Sequence, residues 1–335
     1  MTAKIAINAI GVVAPAPVAD VERFDTTGLT AKKAALVRDF NPRNYIAPMK
    51  MRRMNTLSRY AVSAAKMAID EYGRELPRET GVAIGTAFGP VQTSVDYMRE
   101  YVEKGAALAP PQLFAESVAN APGSHIAIEW GLRGFNVTVT QRESSALAAA
   151  MYASSQIVKG SVRAAMIGGV EEVTEMLYSV LDRIGALDDS MQTGMIIGEG
   201  AAMMIAEASD TAKYGFLAGF GMARDTTASV SDWGNDPEAI VTAMRAAMDD
   251  AEIDVRDIDA IYVSANGVKR AEDVEREAIR RVFGEIETVK TKQVFGEYAA
   301  AGALQLIEAL RSSHRNVVVN SISAGGGIVC AVVTR

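Results

Sequence analysis

The stretch TVTQRESSALAAA, residues 138 to 150, joins a β-branched segment directly to an alanine-rich helical pattern. β-Branched residues favour strands and alanine favours helices, so the stretch predicts a strand that turns sharply into a helix. Enzymes built from alternating strands and helices often place a nucleophile at such a turn. Here the turn carries Glu143, flanked by Arg142 and Ser144, which makes Glu143 the first candidate for a functional residue.

Strand-like and helical segments alternate on both sides of this turn. Buried apolar runs of strand length occupy residues 81–89, 200–208 and 258–267, and helical spacing of apolar residues is clear over 144–160 and 237–253. Alternating strands and helices predict a layered α/β fold with largely parallel sheets. Because the same order recurs in the second part of the chain, the segment that follows the strand at 200–208 is the expected boundary between two halves.

Composition excludes several classes of protein. The net charge of −7 argues against nucleic acid or an anionic membrane as a partner, and no apolar run approaches the length of a membrane span. The first residues imitate a signal peptide, but Ile5-Ala6-Ile7 is equally typical of a first strand, which is our interpretation. Cys330 is the single cysteine, expected as an inert thiol in a buried strand. We therefore expect a cytoplasmic protein without a disulfide.

Several other segments, in their order and spacing, resemble the β-ketoacyl-(acyl carrier protein) synthases, the condensing enzymes of the thiolase fold. They are AIGVVAP (9–15), RRMNTLSRYAVSAA (52–65), SVANAPGSHIAIEWGLRGFNVTV (117–139), IVKGSVRAAMIGGVEEV (157–173), GMIIGEGAAMMIAE (194–207), VKTKQVFGEYAAAGAL (289–304) and NSISAGGG (320–327). The resemblance implies five layers, α-β-α-β-α, from two duplicated halves, and usually a dimer. We place the halves at residues 1–206 and 207–335.

The family's chemistry needs a cysteine nucleophile and two histidines, and the resemblance places other residues at all three positions. Glu143 stands at the cysteine, Asn266 at the first histidine and Glu297 at the second. A carboxylate replaces a thiolate poorly, because the acyl-glutamate is a reactive anhydride that the leaving thiolate would attack again. We therefore expect no Claisen condensation by this chain alone.

Other family positions are kept or changed. Lys292 matches a lysine that the family retains, whereas Ala324 stands at the gatekeeping phenylalanine of a glycine loop that continues through Gly325 and Gly326. The backbone of that loop could still offer an oxyanion hole. Of the two histidines, we expect His125 to have a packing role and His314 to lie exposed in a turn.

Glu143 has two interpretations. In the first, it is a carboxylate at the start of a helix that fills the vacated thiol site and pairs with Arg142. In the second, Glu143, Asn266 and Glu297 converge, and the two carboxylates raise one another's pKa so that they act as acid and base. A metal site is disfavoured, because this donor set suits only a hard cation. No nucleotide-binding loop is present, and we expect no cofactor.

Three functions remain open. The first is a non-catalytic subunit that forms a heterodimer with an active ketosynthase and resembles the chain-length factors of polyketide systems, although those usually carry glutamine where Glu143 stands. The second is a homodimeric enzyme that uses Glu143 and Glu297 in hydrolysis or transfer of an acyl thioester. The third is a sensor or scaffold that holds an acyl chain. The basic region of Arg52 and Arg53 is more often a solvated face than a docking site for an acidic acyl carrier protein.

Overall fold

The computed structural model describes residues 4–230 and 232–335. The strands are β1 Ile5–Val13, β2 Ala19–Asp20, β3 Lys33–Ala34, β4 Gly81–Gly85, β5 Asn136–Val139, β6 Ala164–Glu171, β7 Gly200–Ala208, β8 Gly215–Arg224, β9 Ala260–Tyr262, β10 Glu287–Val289, β11 Asn316–Ile322 and β12 Gly327–Thr334. The helices are α1 Pro48–Met51, α2 Thr56–Tyr72, α3 Val91–Lys104, α4 Pro111–Glu116, α5 Ala121–Trp130, α6 Ser145–Val158, α7 Glu175–Arg183, α8 Pro237–Asp250, α9 Lys269–Phe283, α10 Lys292–Phe295 and α11 Ala301–Arg311.

Ten strands form one mixed sheet in the order β10-β9-β11-β12-β8-β1-β7-β6-β4-β5. Numbered within its own half, each set of five strands has the order 3-2-4-5-1, and the fifth strand, β7 or β12, is antiparallel to both of its neighbours. The halves meet where β1 pairs with β8, at Ile5 with Leu217 and Ile7 with Gly215. The repeated topology is the duplication that the sequence predicts.

Three apolar cores separate the layers. The central core contains the small-residue helices α6 and α11 between the two halves of the sheet. One outer core joins α2 and α5 to the first half, and the other joins α8 and α9 to the second. The five layers that the resemblance implies are therefore present. Alanine dominates the buried face of α6, and α11 begins with Ala301, Gly302 and Ala303, which allows close packing of both helices.

The elements depart from the sequence-based expectations in a few places. The prolines within residues 107–123 predict a loop, but the segment contains α4 and the first turn of α5, where Pro122 is compatible with the start of a helix. The strand expected over 258–267 is short, and residues 263–267 continue as irregular backbone toward the site. Among the described residues, no helix combines the length and the hydropathy of a membrane crossing. The division of the chain after residue 206 stays a proposal.

Candidate functional site

The strand-to-helix turn that holds Glu143 is present as the sequence predicts. β5 ends at Val139, a short 3-10 turn covers Arg142–Ser144, and α6 begins at Ser145. Arg142 adopts a left-handed φ of 50°, a conformation that costs a residue with a side chain about 1–2 kcal/mol. This unusual conformation immediately precedes Glu143, whose side chain is buried beneath the end of the sheet.

Glu143 binds groups of its own chain. Its Oε2 accepts a hydrogen bond from the Ala324 N–H at 3.1 Å, and its backbone carbonyl accepts one from Ser321 Oγ at 3.2 Å. Arg142 Nη2 lies 3.7 Å from the other carboxylate oxygen, which is a loose ion pair. Burial raises the pKa of Glu143, and the charges of Arg142 and Lys292 together with backbone N–H groups oppose that rise.

Glu297 forms a second buried group of contacts. Its Oε2 accepts hydrogen bonds from Lys292 Nζ at 2.7 Å and from Asn266 Nδ2 at 2.9 Å. Its Oε1 is buried and has no hydrogen-bond partner among the described residues. Burial raises the pKa of Glu297 to about 7; Lys292 opposes that rise and the charge of Glu143 adds to it. The three residues that the resemblance places at the family's catalytic positions, Glu143, Asn266 and Glu297, thus lie close to Lys292 or to a residue that contacts it.

Lys292 is the central cation of this region. Its side chain is fully buried and also contacts Ser264 Oγ at 3.3 Å. A third buried carboxylate, Glu275 on α9, interacts electrostatically with Lys292 and accepts hydrogen bonds from the Ser264 N–H and Asn320 Nδ2. Sequence analysis did not identify Glu275. The available signal was a charged residue on the otherwise apolar face of α9, between Ala271 and Ala278.

The backbone N–H groups of the glycine loop already donate hydrogen bonds within the chain. Gly325 and Gly326 adopt left-handed φ values of 89° and 80°, which glycine tolerates. The N–H of Ala324 donates to Glu143, that of Gly325 to the Asp232 carbonyl at 2.8 Å, and that of Gly326 to the Ser323 carbonyl at 3.0 Å. The oxyanion hole that the sequence left open is therefore occupied at Ala324 by the carboxylate of Glu143.

Glu143 also lines a cavity of about 630 Å³, here called the site cavity. Apolar side chains that include Met195, Trp233 and Val268 form part of its wall. Two cations at its lining are already paired, Lys269 with Asp273 and Arg270 with Asp232. Glu297 and Asn266 do not line the site cavity, so the two carboxylates differ in their access to a ligand.

Both histidines lie elsewhere in the fold. His125 Nε2 is 2.9 Å from Glu116 Oε1, a contact consistent with the packing role predicted for it. His314 lies in the turn before β11 as predicted, but its side chain is half-buried rather than exposed, with its Nε2 3.3 Å from Glu287 Oε2. Because the chain has only these two histidines, no imidazole is available beside Glu143.

Two further sequence predictions concern a thiol and a surface. Cys330 is fully buried in β12, as predicted, and burial raises its pKa well above the ordinary value of a thiol. Arg52 and Arg53 are exposed, whereas nearby Lys50 pairs with Glu129 at 2.7 Å. Among the described residues, no group of three histidine, cysteine, aspartate or glutamate side chains is arranged to hold a metal ion.

Comparison with known proteins gives two family matches that together span most of the chain. Residues 9–212 match the β-ketoacyl synthase N-terminal domain, and residues 214–324 match the β-ketoacyl synthase C-terminal domain. A 3-oxoacyl-[acyl-carrier-protein] synthase 2 of Vibrio harveyi is 28% identical over 91% of this chain and 81% of its own length. The tetracenomycin polyketide synthase ketoacyl synthase beta subunit of Streptomyces glaucescens is 25% identical over 91% and 80%.

A solved structure described as the ishigamide ketosynthase/chain length factor has the same fold. It superposes with a TM-score of 0.89 at 22% identity and covers 100% of this chain and 99% of its own. The predicted fold class, a thiolase-like α/β fold, is confirmed by this likeness together with the repeated topology.

Proposed function

The chain belongs to the β-ketoacyl synthase family, and within that family we propose that it is a subunit without condensing activity of its own that assembles with an active ketosynthase. The observation that carries the proposal is the state of the nucleophile position. The carboxylate of Glu143, which the resemblance places at that position, accepts a hydrogen bond from the Ala324 N–H, so the glycine loop of the same chain already supplies its hydrogen-bond donor. The role is that of a chain-length-factor-like subunit in fatty-acid or polyketide-type biosynthesis.

The chemistry of the site supports this proposal. Condensation requires a nucleophile that accepts an acyl group and releases it to a carbanion, and a carboxylate performs the first step poorly because its acyl product is an anhydride. An oxyanion at Ala324 would have to displace Glu143 from its hydrogen bond. At the two positions that the resemblance assigns to the histidines, the Asn266 amide donates to Glu297, whose ionisation depends on Lys292.

The names of similar proteins support the proposed assembly with a ketosynthase. One relative is named as a ketoacyl synthase beta subunit, and one structural neighbour is described as a ketosynthase/chain length factor. From these names we take the partner of this chain to be a ketosynthase that retains the cysteine and both histidines. The exposed Arg52 and Arg53 would offer a basic surface to an acyl carrier protein serving that pair.

A second candidate function has one specific observation in its favour. The pKa of Glu297 is about 7 and its Oε1 is unpartnered among the described residues, while Glu143 faces the site cavity. Such a pair could serve as acid and base in hydrolysis or transfer of an acyl thioester by a homodimer. The weakness of this alternative is access, because Glu297 does not line the cavity.

The deciding experiment is purification of the tagged protein from its native source, with identification and stoichiometry of co-purifying proteins by mass spectrometry. We expect a near-equimolar ketosynthase that retains the cysteine and both histidines. A homodimer without such a companion would contradict the accessory role.

In that case thioester hydrolysis by Glu143→Gln should be compared with hydrolysis by Glu129→Gln, a matched change at a partly exposed carboxylate that pairs with Lys50. Loss of activity in the first variant alone would support the enzyme.

A further inference from the structure

A second cavity lies next to the site cavity. It has a volume of about 460 Å³, is bordered by the end of β8 and by the glycine loop, and is here called the outer cavity. Comparison of the two linings identifies Arg142 and Ala324 as the residues common to both. Of these two residues Arg142 has by far the larger side chain, so its replacement should change the space between the two cavities most.

Few contacts hold the Arg142 side chain in this position. Its Nη1 donates to the carbonyl of Val230 at 3.2 Å, and Val230 is itself 84% exposed. The ion pair with Glu143 is loose at 3.7 Å, and the ring of Phe88 lies 6.0 Å from the guanidinium carbon. Its Nε is buried without a hydrogen-bond partner among the described residues. The Arg142 side chain is therefore held by long contacts and not by a close ion pair.

We propose that Arg142 is a specificity-determining residue: its side chain closes the site cavity toward the outer cavity and so limits the length of a linear acyl ligand. The inference rests on the proposed function only for the class of ligand, an acyl chain. Each methylene that enters an apolar cavity strengthens binding by about threefold to fourfold. A chain that cannot pass Arg142 leaves its remaining methylenes in water and gains nothing from them.

The test is the binding of two uncharged thioesters, hexanoyl- and dodecanoyl-N-acetylcysteamine, to the purified full-length protein, measured by titration calorimetry. We expect the wild type to bind dodecanoyl no more tightly than hexanoyl. Arg142→Gly should bind dodecanoyl at least about tenfold more tightly than the wild type, with hexanoyl affinity changed less than about threefold. Glycine accepts the left-handed φ of residue 142, so this variant should fold, and Arg142→Asn is a second variant suited to that conformation.

Two control variants distinguish the effect of the size of the Arg142 side chain from the effect of its charge. Arg142→Gln removes the charge and keeps most of the bulk, and Arg224→Gln alters an arginine that lines only the outer cavity. Both variants should bind the dodecanoyl thioester no more tightly than the hexanoyl thioester, as the wild type does. The inference is overturned if the folded glycine variant does not favour dodecanoyl, if Arg142→Gln behaves like it, or if no thioester binds any of these proteins. The binding is measured without a ketosynthase, so its outcome is independent of the co-purification result.

Discussion

Replacement of Lys292 by methionine tests whether one cation balances the buried carboxylates of the site. Lys292 is fully buried, 2.7 Å from Glu297 Oε2, and interacts electrostatically with Glu143 and Glu275. Methionine has nearly the same length and no charge, so Lys292→Met removes the cation without leaving a large cavity. Glu297 would keep the Asn266 amide as its hydrogen-bond donor.

The cost should be large because the substitution leaves a buried carboxylate without its cation. Breaking one side of a buried ion pair typically costs about 3–5 kcal/mol of unfolding free energy. Glu297→Gln should cost less, about 1–3 kcal/mol, because Lys292 keeps two other carboxylates nearby. In the double variant the unpaired charge is gone, so we expect a coupling energy of at least about 2 kcal/mol between the two substitutions.

The cost of Lys292→Met should also rise with pH. The pKa of Glu297, about 7, lies above its usual value of 4.5, so its stabilising contribution is complete below about pH 4.5 and is lost as the pH rises through 7. Without Lys292 that pKa rises further, and the variant loses stability over a range that extends above pH 7. The cost should therefore be smaller at pH 5 than at pH 8.5, and this dependence should largely disappear in the Glu297→Gln background.

Urea denaturation followed by circular dichroism, at one protein concentration and at both pH values, measures all four proteins of the cycle. A cost of Lys292→Met below about 1 kcal/mol at pH 8.5 would refute the reasoning. Additivity of the two substitutions within about 0.5 kcal/mol would refute it as well. Lys66→Met is a suitable control, because Lys66 forms a partly exposed pair with Asp70 and should cost at most about 1 kcal/mol.

Three further predictions concern the turn around Glu143. Burial raises the pKa of Glu143 above its usual value, so its ionisation costs stability as the pH rises. Glu143→Gln should therefore raise the free energy of unfolding, measured by urea denaturation, more at pH 8 than at pH 5. The opposite order would contradict the burial argument. In Glu143→Cys, iodoacetamide should alkylate the new cysteine in preference to the buried Cys330. The same variant should release no CO2 from malonyl thioester and form no condensation product detectable by mass spectrometry, because no histidine is nearby. Gly85→Ala places a Cβ 2.4 Å from the backbone N of Ala146. It should lower the free energy of unfolding by about 2 kcal/mol or more in the same urea assay. A cost below about 0.5 kcal/mol would show that α6 can move away from β4.

The sequence was sufficient to predict the strand and the helix that flank Glu143. The β-branched and alanine-rich halves of residues 138–150 predict β5 and α6 because strand and helix preferences depend on neighbouring residues. Residues 316–333 consist of two valine- and isoleucine-containing runs joined by glycines, which predicts a pair of strands, and they form the antiparallel strands β11 and β12. The short helices α4 and α5 were missed because prolines within 107–123 favour loops as well as first helical turns.

The sequence also predicts that this chain does not condense acyl groups, because the residues that the resemblance places at the family's three catalytic positions include neither a thiol nor an imidazole. Only the tertiary structure decided what those residues contact instead. Glu143 takes its hydrogen bond from Ala324, 181 residues away, and Lys292 lies among carboxylates contributed by three different elements. Local preferences determine where a strand or helix forms, whereas the pairing of buried charges depends on the packing of distant segments, and burial determines how strongly each charge affects the others.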